Sequence, residues 1–241
     1  MYNLTHFGFS DMMSCRSAIR SLFDEEPDTL AEAGERVVNF LYRELVDDSG
    51  KPACALVRLF KTHLYAELDE ELQSFARQTV PLADEIEGLR CLVLLATAGD
   101  RPEWRSRHSS RSHKAIPLVS EQMVEQAPMI AQLIEQFGLK VMTVLRPDAR
   151  LLLENATTFN IFYVPRALGS PYIVAQDEFV VRHGIQSVLG FGGILASGDL
   201  FAAIMFSKIP ILPDVADRFK VVGLNMKLAI LPLVGKPLFV L

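Results

Sequence analysis

A glycine-rich and almost uncharged stretch near the end of the chain limits the possible folds more than any other feature. Residues 183–208 read HGIQSVLGFGGILASGDLFAAIMFSK, with two apolar runs of strand length around Ser-Gly-Asp. A small polar turn between such runs predicts a β-hairpin. A phosphate-binding loop would need the spacing GxGxxG and then a helix, but Leu195 stands where the last glycine would be. Glycines inside strands mark close approach of a neighbouring backbone or a ligand.

A membrane span is the alternative interpretation of this stretch, because about 20 apolar residues cross a bilayer. Ser197, Gly198 and Asp199 interrupt it at its centre, so that each half has only the length of a strand. The first residues lack the basic and apolar regions of a signal peptide. We therefore expect a cytoplasmic protein that does not enter a membrane.

Composition narrows the class of protein further. Of the 241 residues, 50% are hydrophobic, which predicts a large buried core. The net charge of -5 gives no general attraction to nucleic acid or anionic lipid. The three cysteines lack CxxC spacing, so we expect neither a disulfide framework nor a structural zinc site.

Three helices have clear signals. The first lies near residues 11–23, and the second, over 28–46, begins with Thr29 three residues before Glu32, the spacing of a capping box. The third begins at Pro213 and runs to Leu231. One apolar stripe of this terminal helix consists of Val215, Phe219, Val222, Met226 and Ile230. Further leucines, Leu224 and Leu228 among them, widen the apolar surface, which predicts a second partner such as the same helix of another subunit.

The remaining pattern predicts an α+β fold with a central antiparallel sheet flanked by helices. Apolar runs of strand length cover 53–60, 90–97, 140–145 and 158–164. Helical pieces follow residue 64 and lie in 120–138, where Pro128 divides them. A short helix over 175–184 ends at Gly184, which suits the left-handed position.

The order of these elements resembles the closing half of a GAF-like sensor domain. In that family a short helix ends in a glycine, as FVVRHGI does here, and two strands meet at a small polar turn, as in SVLGFGGILASGDLFAAIMFS. A long final helix follows, like LPDVADRFKVVGLNMKLAIL. The resemblance implies a GAF/PAS-like fold and a regulatory input module, often dimeric, that binds a small molecule or a partner and catalyses no reaction.

More narrowly, the chain is similar to the sensory region ahead of some bacterial histidine kinases in two-component regulation. The similar segments are SHKAIPLVSEQMVEQAPMIAQLIEQFGL and residues 169–211. The resemblance implies one domain over residues 1–241, with an N-terminal helical extension over 1–26 and an insertion over 99–156. No kinase core is recognisable, so the implied partner is a separate histidine kinase or other signalling protein.

Cofactors of the family are not specified by the residues present. Where cyclic-nucleotide-binding members carry Asn-Lys and later Asp-Glu, this chain has Ser207 and Lys208 and no Asp-Glu pair. No cysteine lies in a motif for bilin attachment, and His183 is the one weak candidate for a haem ligand. The cofactor is therefore unknown at this level.

A basic segment, residues 101–114, has the most unusual local composition. Its candidate ligand contacts are Trp104, Arg105, Arg107, His108 and His113. A guanidinium group can bind two oxygens of one carboxylate or phosphate at the same time. The segment could therefore close over a small anionic ligand or dock an acidic partner. The alternative is a solvated surface loop. The two histidines stand five apart, which does not favour a metal site.

The sheet itself supplies a second set of candidates. Asn160 lies inside an apolar strand, where its amide needs hydrogen-bond partners, and is either a structural residue or a ligand contact. If the sheet forms the floor of a pocket, Asn160, Phe162, Gly190 and Phe191 are candidate ligand contacts.

Three functions follow as hypotheses. The leading one is a non-catalytic cytosolic signalling module that binds a small ligand or a regulatory partner and signals through a homodimer formed by the terminal helix. The second is an enzyme that acts on an anionic metabolite with the basic segment as its clamp. The third is a protein-interaction domain with a filled core. No catalytic or metal-binding residue is predicted.

Overall fold

The fold is built on a six-stranded sheet with helices on both faces. The structure, a computed structural model, describes residues 1–79, 88–110, 112–147, 159–233 and 235–239. The strands are β1 (Tyr2–Asn3), β2 (Leu45–Val46), β3 (Cys54–Leu64), β4 (Arg90–Gly99), β5 (Ala115–Leu118), β6 (Phe159–Val164), β7 (Ser187–Ile194) and β8 (Leu200–Ser207). The helices are α1 (Phe9–Ser21), α2 (Leu30–Glu44), α3 (Glu70–Thr79), α4 (Glu121–Glu125), α5 (Pro128–Gln136), α6 (Val141–Leu145) and α7 (Pro213–Ile230), with a π-helical turn at Gln176–Val181.

The strand order in the sheet is β5-β4-β3-β8-β7-β6, and every neighbouring pair is antiparallel. Strands β1 and β2 form a separate parallel pair. One face of the sheet is covered by α1, α2 and α7, and the other by α4, α5, α6 and the π-helical turn. The predicted α+β class, with a central antiparallel sheet flanked by helices, is confirmed.

The hairpin predicted from residues 183–208 is present at the centre of this sheet. Strands β7 and β8 pair over their full length, from Ser187 with Ser207 to Ile194 with Leu200. Gly198 occupies the turn with a φ of 84°, a value in the left-handed region. The short helix before the hairpin, Gln176–Val181, is followed by a turn in which Gly184 is also left-handed, and α7 follows the hairpin. These are the elements that the GAF-like resemblance implies.

Helix α2 confirms its predicted start. The Thr29 hydroxyl accepts a hydrogen bond from the Glu32 amide at 3.1 Å, and the Glu32 carboxylate accepts one from the Asp28 amide at 2.8 Å. The first contact satisfies an amide that the first turn of the helix leaves free, and the second holds the residue that precedes the N-cap. Helix α1 lies where an N-terminal helical extension was expected, and it packs against α7.

The terminal helix α7 buries the predicted stripe and leaves its second apolar surface open. All five stripe residues, from Val215 to Ile230, are buried in the core that also holds α1 and α2. Leu224 and Leu228 are 43% and 57% exposed, and Leu231 is 38% exposed. The helix therefore carries an unpartnered leucine surface in the single chain.

Two sequence interpretations are wrong. Residues 140–145 were predicted as a strand, but Val141–Leu145 is a helix whose Val144 and Leu145 are buried. A short apolar run has too few residues for its period to separate strand from helix. Strand β3 also continues to Leu64, past the predicted end at residue 60, because His63 and Leu64 pair with Cys91 and Arg90 of β4.

The predicted insertion contains a strand that the sequence did not indicate. Residues Ala115–Leu118 form β5, the edge strand beside β4. Pro128 separates α4 from α5 as predicted, and it occupies the first turn of α5, where its missing N–H is not needed. Residues 148–156 of the predicted insertion lie outside the described residues.

Candidate ligand-binding site

A cavity of about 710 Å³ lies between one face of the sheet and the elements that cross over it. Its floor comes from β3, β4 and β8, and its walls come from α3, the basic segment, the α4–α5 junction and residues 172–179. The described lining is almost wholly apolar, and it contains no carboxylate. This size and character are those of small-molecule sites in proteins.

Arg58 is the one lysine or arginine among the described lining residues. It stands on β3 between Leu56 and Phe60, opposite Ile204 of β8, so that alternation along the strand directs it to the cavity face. Its Nε is buried and has no hydrogen-bond partner among the described residues. Burial lowers the pKa of Arg58 to about 10, so the guanidinium is still charged at neutral pH.

Arg58 is half-buried, and the buried part of its guanidinium has no partner among the described residues, which is costly because the apolar surroundings do not replace its hydration. Neighbouring strands offer Arg58 only Thr97 and Ile204 across the sheet. An anionic group entering the cavity would supply the missing partner, and a guanidinium can hold a carboxylate or phosphate through two parallel hydrogen bonds.

His113 lies on the wall of the same cavity in an unusual backbone conformation. Its φ of 63° makes it the single non-glycine residue in the left-handed region within the described part of the chain. Such a conformation costs of order 1–3 kcal/mol and persists only where the surrounding structure holds it. Burial, and after it the charge of Arg58, lowers the pKa of His113. The imidazole and the Arg58 guanidinium line the same cavity.

Trp104 closes the cavity on another side. The hydroxyl of Thr97, the β4 neighbour of Arg58, donates a hydrogen bond to the Trp104 carbonyl at 3.0 Å. The indole makes an edge contact with Phe179 at 5.7 Å, and Phe179 makes one with Phe206 at 4.9 Å. These rings connect the basic segment to the π-helical turn and to β8, so the wall is held by the sheet beneath it.

The cavity opens to solvent at one group of lining residues. Thr79, Ser112, His113 and Val174 line the cavity and are exposed. Their polar groups stand at the opening, whereas the floor around Arg58 is apolar. A ligand could enter here without unfolding any strand.

Among the described residues of the basic segment, the predicted contacts Arg105, Arg107 and His108 do not line the cavity. Arg105 and His108 are exposed, and Arg105 donates a hydrogen bond to the Asp100 carbonyl at 3.2 Å. Arg107 is buried and lies against the ring of Phe239. Trp104 and His113 are therefore the two predicted residues of this segment that the structure brings to the cavity, while Arg111 lies outside the described residues.

The predicted residues of the sheet are also divided between its faces. Phe191 lies on the opposite face, 5.6 Å from the ring of Phe219 in α7, and takes no part in the cavity. Phe162 belongs to the cavity-side core, and its ring covers Gly190, where an added Cβ would be 3.3 Å from it. Asn160 is half-buried, and its side-chain oxygen accepts a hydrogen bond from the Ile161 amide at 3.2 Å. None of these four residues lines the described cavity.

Sequence reasoning missed Arg58 as a site residue. Its signal was present in ACALVRLF, where one charge interrupts an apolar run long enough for a strand. A charged side chain in a strand that is covered on both faces must be paired or face a cavity. The run alone does not say which of these holds.

A second, smaller cavity of about 350 Å³ holds a cluster of charges that already satisfy one another. The Lys61 ammonium lies 2.7 Å from one carboxylate oxygen of Asp199, and Arg90 donates to the other. Burial lowers the pKa of Lys61, and burial together with Lys61 lowers the pKa of His63 to about 3. The arrangement fastens the hairpin turn to β3 and β4.

The described residues contain neither a group of potential metal ligands nor a membrane-spanning helix. No group of three or more His, Cys, Asp or Glu side chains there could hold a metal ion. Within the same ranges, no helix is long and apolar enough to cross a bilayer. All three cysteines are buried, none lines the larger cavity, and burial raises the pKa of each thiol to about 12.

Comparison with known proteins gives structural likenesses of low identity. No protein-family model matches the chain, and no curated protein matches it. The fold is similar to the phycocyanobilin-bound GAF domain of a cyanobacterial phytochrome, with a TM-score of 0.44, 13% identity, and coverage of 92% of this chain and 94% of that one.

Two longer structures are similar over part of their length. The chromophore-binding domain of a bacteriophytochrome from R. palustris has a TM-score of 0.42 and 11% identity, and the chain covers 63% of it. The photosensory core module of the Stigmatella aurantiaca phytochrome has a TM-score of 0.38 and 14% identity, and the chain covers 38% of it. All three TM-scores are below 0.5, so the case for a function rests on the geometry of the site.

Proposed function

We propose that this protein is a non-catalytic sensory module that binds a small molecule in the larger cavity. The observation that carries the proposal is the cavity of about 710 Å³ with Arg58 on its floor, whose buried Nε has no hydrogen-bond partner among the described residues. A domain that maintained only its own stability would gain by filling this space and neutralising or removing the charge. A partner that enters the cavity explains both features.

The experiment is mass spectrometry of the full chain after gentle purification, in native and in denaturing conditions. We expect the mass in native conditions to exceed the mass in denaturing conditions by the mass of a bound small molecule. Ala202→Phe and Ile130→Trp, which place a large side chain into the cavity from two sides, are expected to remove the added mass. Lys140→Trp, at an exposed position outside the cavity, is the matched control. Binding that survives both cavity-filling variants would contradict the proposal.

Signalling would pass through a homodimer formed by α7, in a cytoplasmic setting with a separate histidine kinase or other signalling protein as output. The support is the leucine surface of α7, exposed beside a fully buried stripe on the same helix. A ligand can switch such a dimer only if it binds one arrangement of the two subunits more tightly than the other.

The dimer is tested by sedimentation of the full chain. Leu224→Glu with Leu228→Glu is expected to yield monomers, because it buries charge in the proposed interface. Leu168→Glu, at an exposed leucine outside α7, is the control that should leave the mass unchanged. A wild-type monomer, or a dimer that resists the paired change, would overturn the interface.

The two alternatives have less support. The enzyme hypothesis needs the basic segment as an anion clamp, and Arg105 and His108 instead face solvent while Arg107 packs on Phe239. The interaction-domain hypothesis needs a filled core, which the larger cavity contradicts. A bilin held through a thioether does not fit the residues present, since no cysteine lines the cavity.

A further inference from the structure

The charge and shape of the cavity limit the class of ligand, given the proposed function on which this inference rests. The described lining carries one guanidinium and no carboxylate, so a cationic ligand would be repelled and a neutral one would leave Arg58 unpaired. An anion is favoured because it supplies the counterion that the described residues around Arg58 do not.

The charge of the ligand is limited by the single guanidinium in the described lining of the cavity. A phosphate monoester carries about -1.5 to -2 charges at pH 7, and Arg58 alone would leave much of that charge without a partner in an apolar cavity. His113 is exposed at the opening of the cavity, where solvent screens its charge, so it does not replace a second counterion on the floor. A carboxylate carries one charge and has two oxygens that match the guanidinium.

The rest of the ligand must be apolar and elongated. Arg58 stands opposite Ile204, and the cavity floor continues along β8 through Ala202 to Leu200. Four residues of strand span about 13 Å. Phe60 and Leu92 line the same part of the cavity, so this region can bury a hydrocarbon body that extends away from the carboxylate.

We infer that the ligand is an apolar monocarboxylate whose carboxylate pairs with Arg58 and whose hydrocarbon body lies along β8 towards Leu200. A medium-chain fatty acid and an arylalkanoic acid belong to this class. Arg58 is a residue of the binding site, and His113 lines the opening of the same cavity.

The test compares decanoate, decanol and decyl phosphate by isothermal titration calorimetry on the full chain. Decanoate is expected to bind about 10- to 100-fold more tightly than decanol, since a hydrogen-bonded charge pair adds that much. Decyl phosphate is expected to bind less tightly than decanoate. Decanol binding equal to decanoate, or decyl phosphate binding more tightly, would overturn the monocarboxylate class.

Arg58→Met keeps an apolar stem and removes the charge. We expect it to lower the affinity for decanoate about 10- to 100-fold and to leave the affinity for decanol nearly unchanged. Arg105→Met removes an exposed arginine outside the cavity and should not alter either affinity. An unchanged decanoate affinity in Arg58→Met would overturn the role of Arg58.

A stability measurement separates this role from a structural one. Arg58→Met is expected to raise the Tm of the free protein, because it removes an unpaired charge, and to abolish the rise in Tm that decanoate gives the wild type. A fall in Tm of the free variant would show that Arg58 has a structural partner and would overturn the inference. If Arg58→Met does not fold, the comparison of the three ligands on the wild type still decides.

Failure of the ligand class and failure of the proposed function give different results. If decanoate does not bind but a co-purified molecule is lost in Ala202→Phe, the sensory function stands and the monocarboxylate class is wrong. If no molecule co-purifies and none of the three probes binds, both proposals are wrong.

Discussion

The guanidinium carbon of Arg107 lies 3.4 Å from the centre of the Phe239 ring. This contact joins the basic segment, one wall of the cavity, to the C-terminal segment (residues 235–239) that follows α7. The same C-terminal segment offers its Pro237 and Leu238 carbonyls to the first amides of α2, at 3.1 and 3.0 Å. The contact therefore connects the basic segment, whose Trp104 and His113 line the cavity, to the segment that follows the proposed signalling helix.

We predict that Arg107 and Phe239 stabilise the protein jointly. In a double-mutant cycle of Arg107→Met and Phe239→Leu, the coupling energy should be about 1 kcal/mol, the range of partly buried cation–π pairs. Urea denaturation measures the four free energies of unfolding. The cycle of Arg105→Met with Phe239→Leu should be additive within about 0.5 kcal/mol, and equal coupling in the two cycles would contradict the contact.

The Asp199 carboxylate should be a major determinant of stability. Asp199→Asn leaves Lys61 and Arg90 buried with one counterion removed, and breaking such a cluster costs about 3–5 kcal/mol. Chemical denaturation measures the loss. Asp214→Asn breaks an exposed pair with Arg218 and is the matched control, which should change little. Equal effects of the two substitutions would show that the hairpin turn is not held by this cluster.

The contribution of Asp199 should disappear in acid. Burial would raise its pKa, but Lys61 and the hydrogen bonds from Lys61, Ser197 and Arg90 outweigh burial and lower it. A lowered carboxyl pKa stabilises the folded state above the unfolded value of about 3.9, and the gain is lost as pH falls through the folded value. The difference in free energy of unfolding between wild type and Asp199→Asn should therefore be constant near neutral pH and shrink below about pH 4. A difference that stays constant to pH 2 would contradict this assignment.

Gly192 should tolerate no side chain. An added Cβ would lie 2.0 Å from the Phe201 carbonyl oxygen and 2.9 Å from the ring of Phe137. We expect Gly192→Ala to cost about 3 kcal/mol or more, because the backbone of β8 cannot move away without breaking the ladder. Gly190→Ala, whose Cβ would be 3.2 Å from its nearest neighbour, is the control in the same strand and should cost clearly less. Thermal and urea unfolding of both variants measure the two losses of stability. A larger loss for Gly190→Ala than for Gly192→Ala would contradict the packing.

Features with a local cause were predictable from sequence. The capping pair Thr29–Glu32, the glycine stop at Gly184 and the turn at Gly198 each depend on a few neighbouring residues, and all three are present. The buried stripe of α7 followed from the helical period alone. The strand predicted at 140–145 is wrong because six residues carry too little periodicity to outweigh the packing of Val141–Leu145 as a helix.

Strand β5 and the roles of the basic residues were not predictable in this way. Four residues become β5 because β4 offers them an unpaired edge, and no pattern within AIPL specifies that partner. Arg107 and Arg105 are similar in sequence context, yet one is covered by Phe239 and the other is exposed. Their difference depends on a segment more than 120 residues away.

The sequence by itself determined the class of fold, the central hairpin and the terminal helix with its two apolar surfaces, because hydrophobic period, caps and turn residues act over a few positions. The tertiary structure alone decided that Arg58 faces a cavity with no counterion among the described residues, that Phe191 lies on the other face, and that His113 lines the same cavity as Arg58. Those relationships depend on strand register and on which segments cross the sheet. Residues far apart in the chain set both, and no local pattern encodes them.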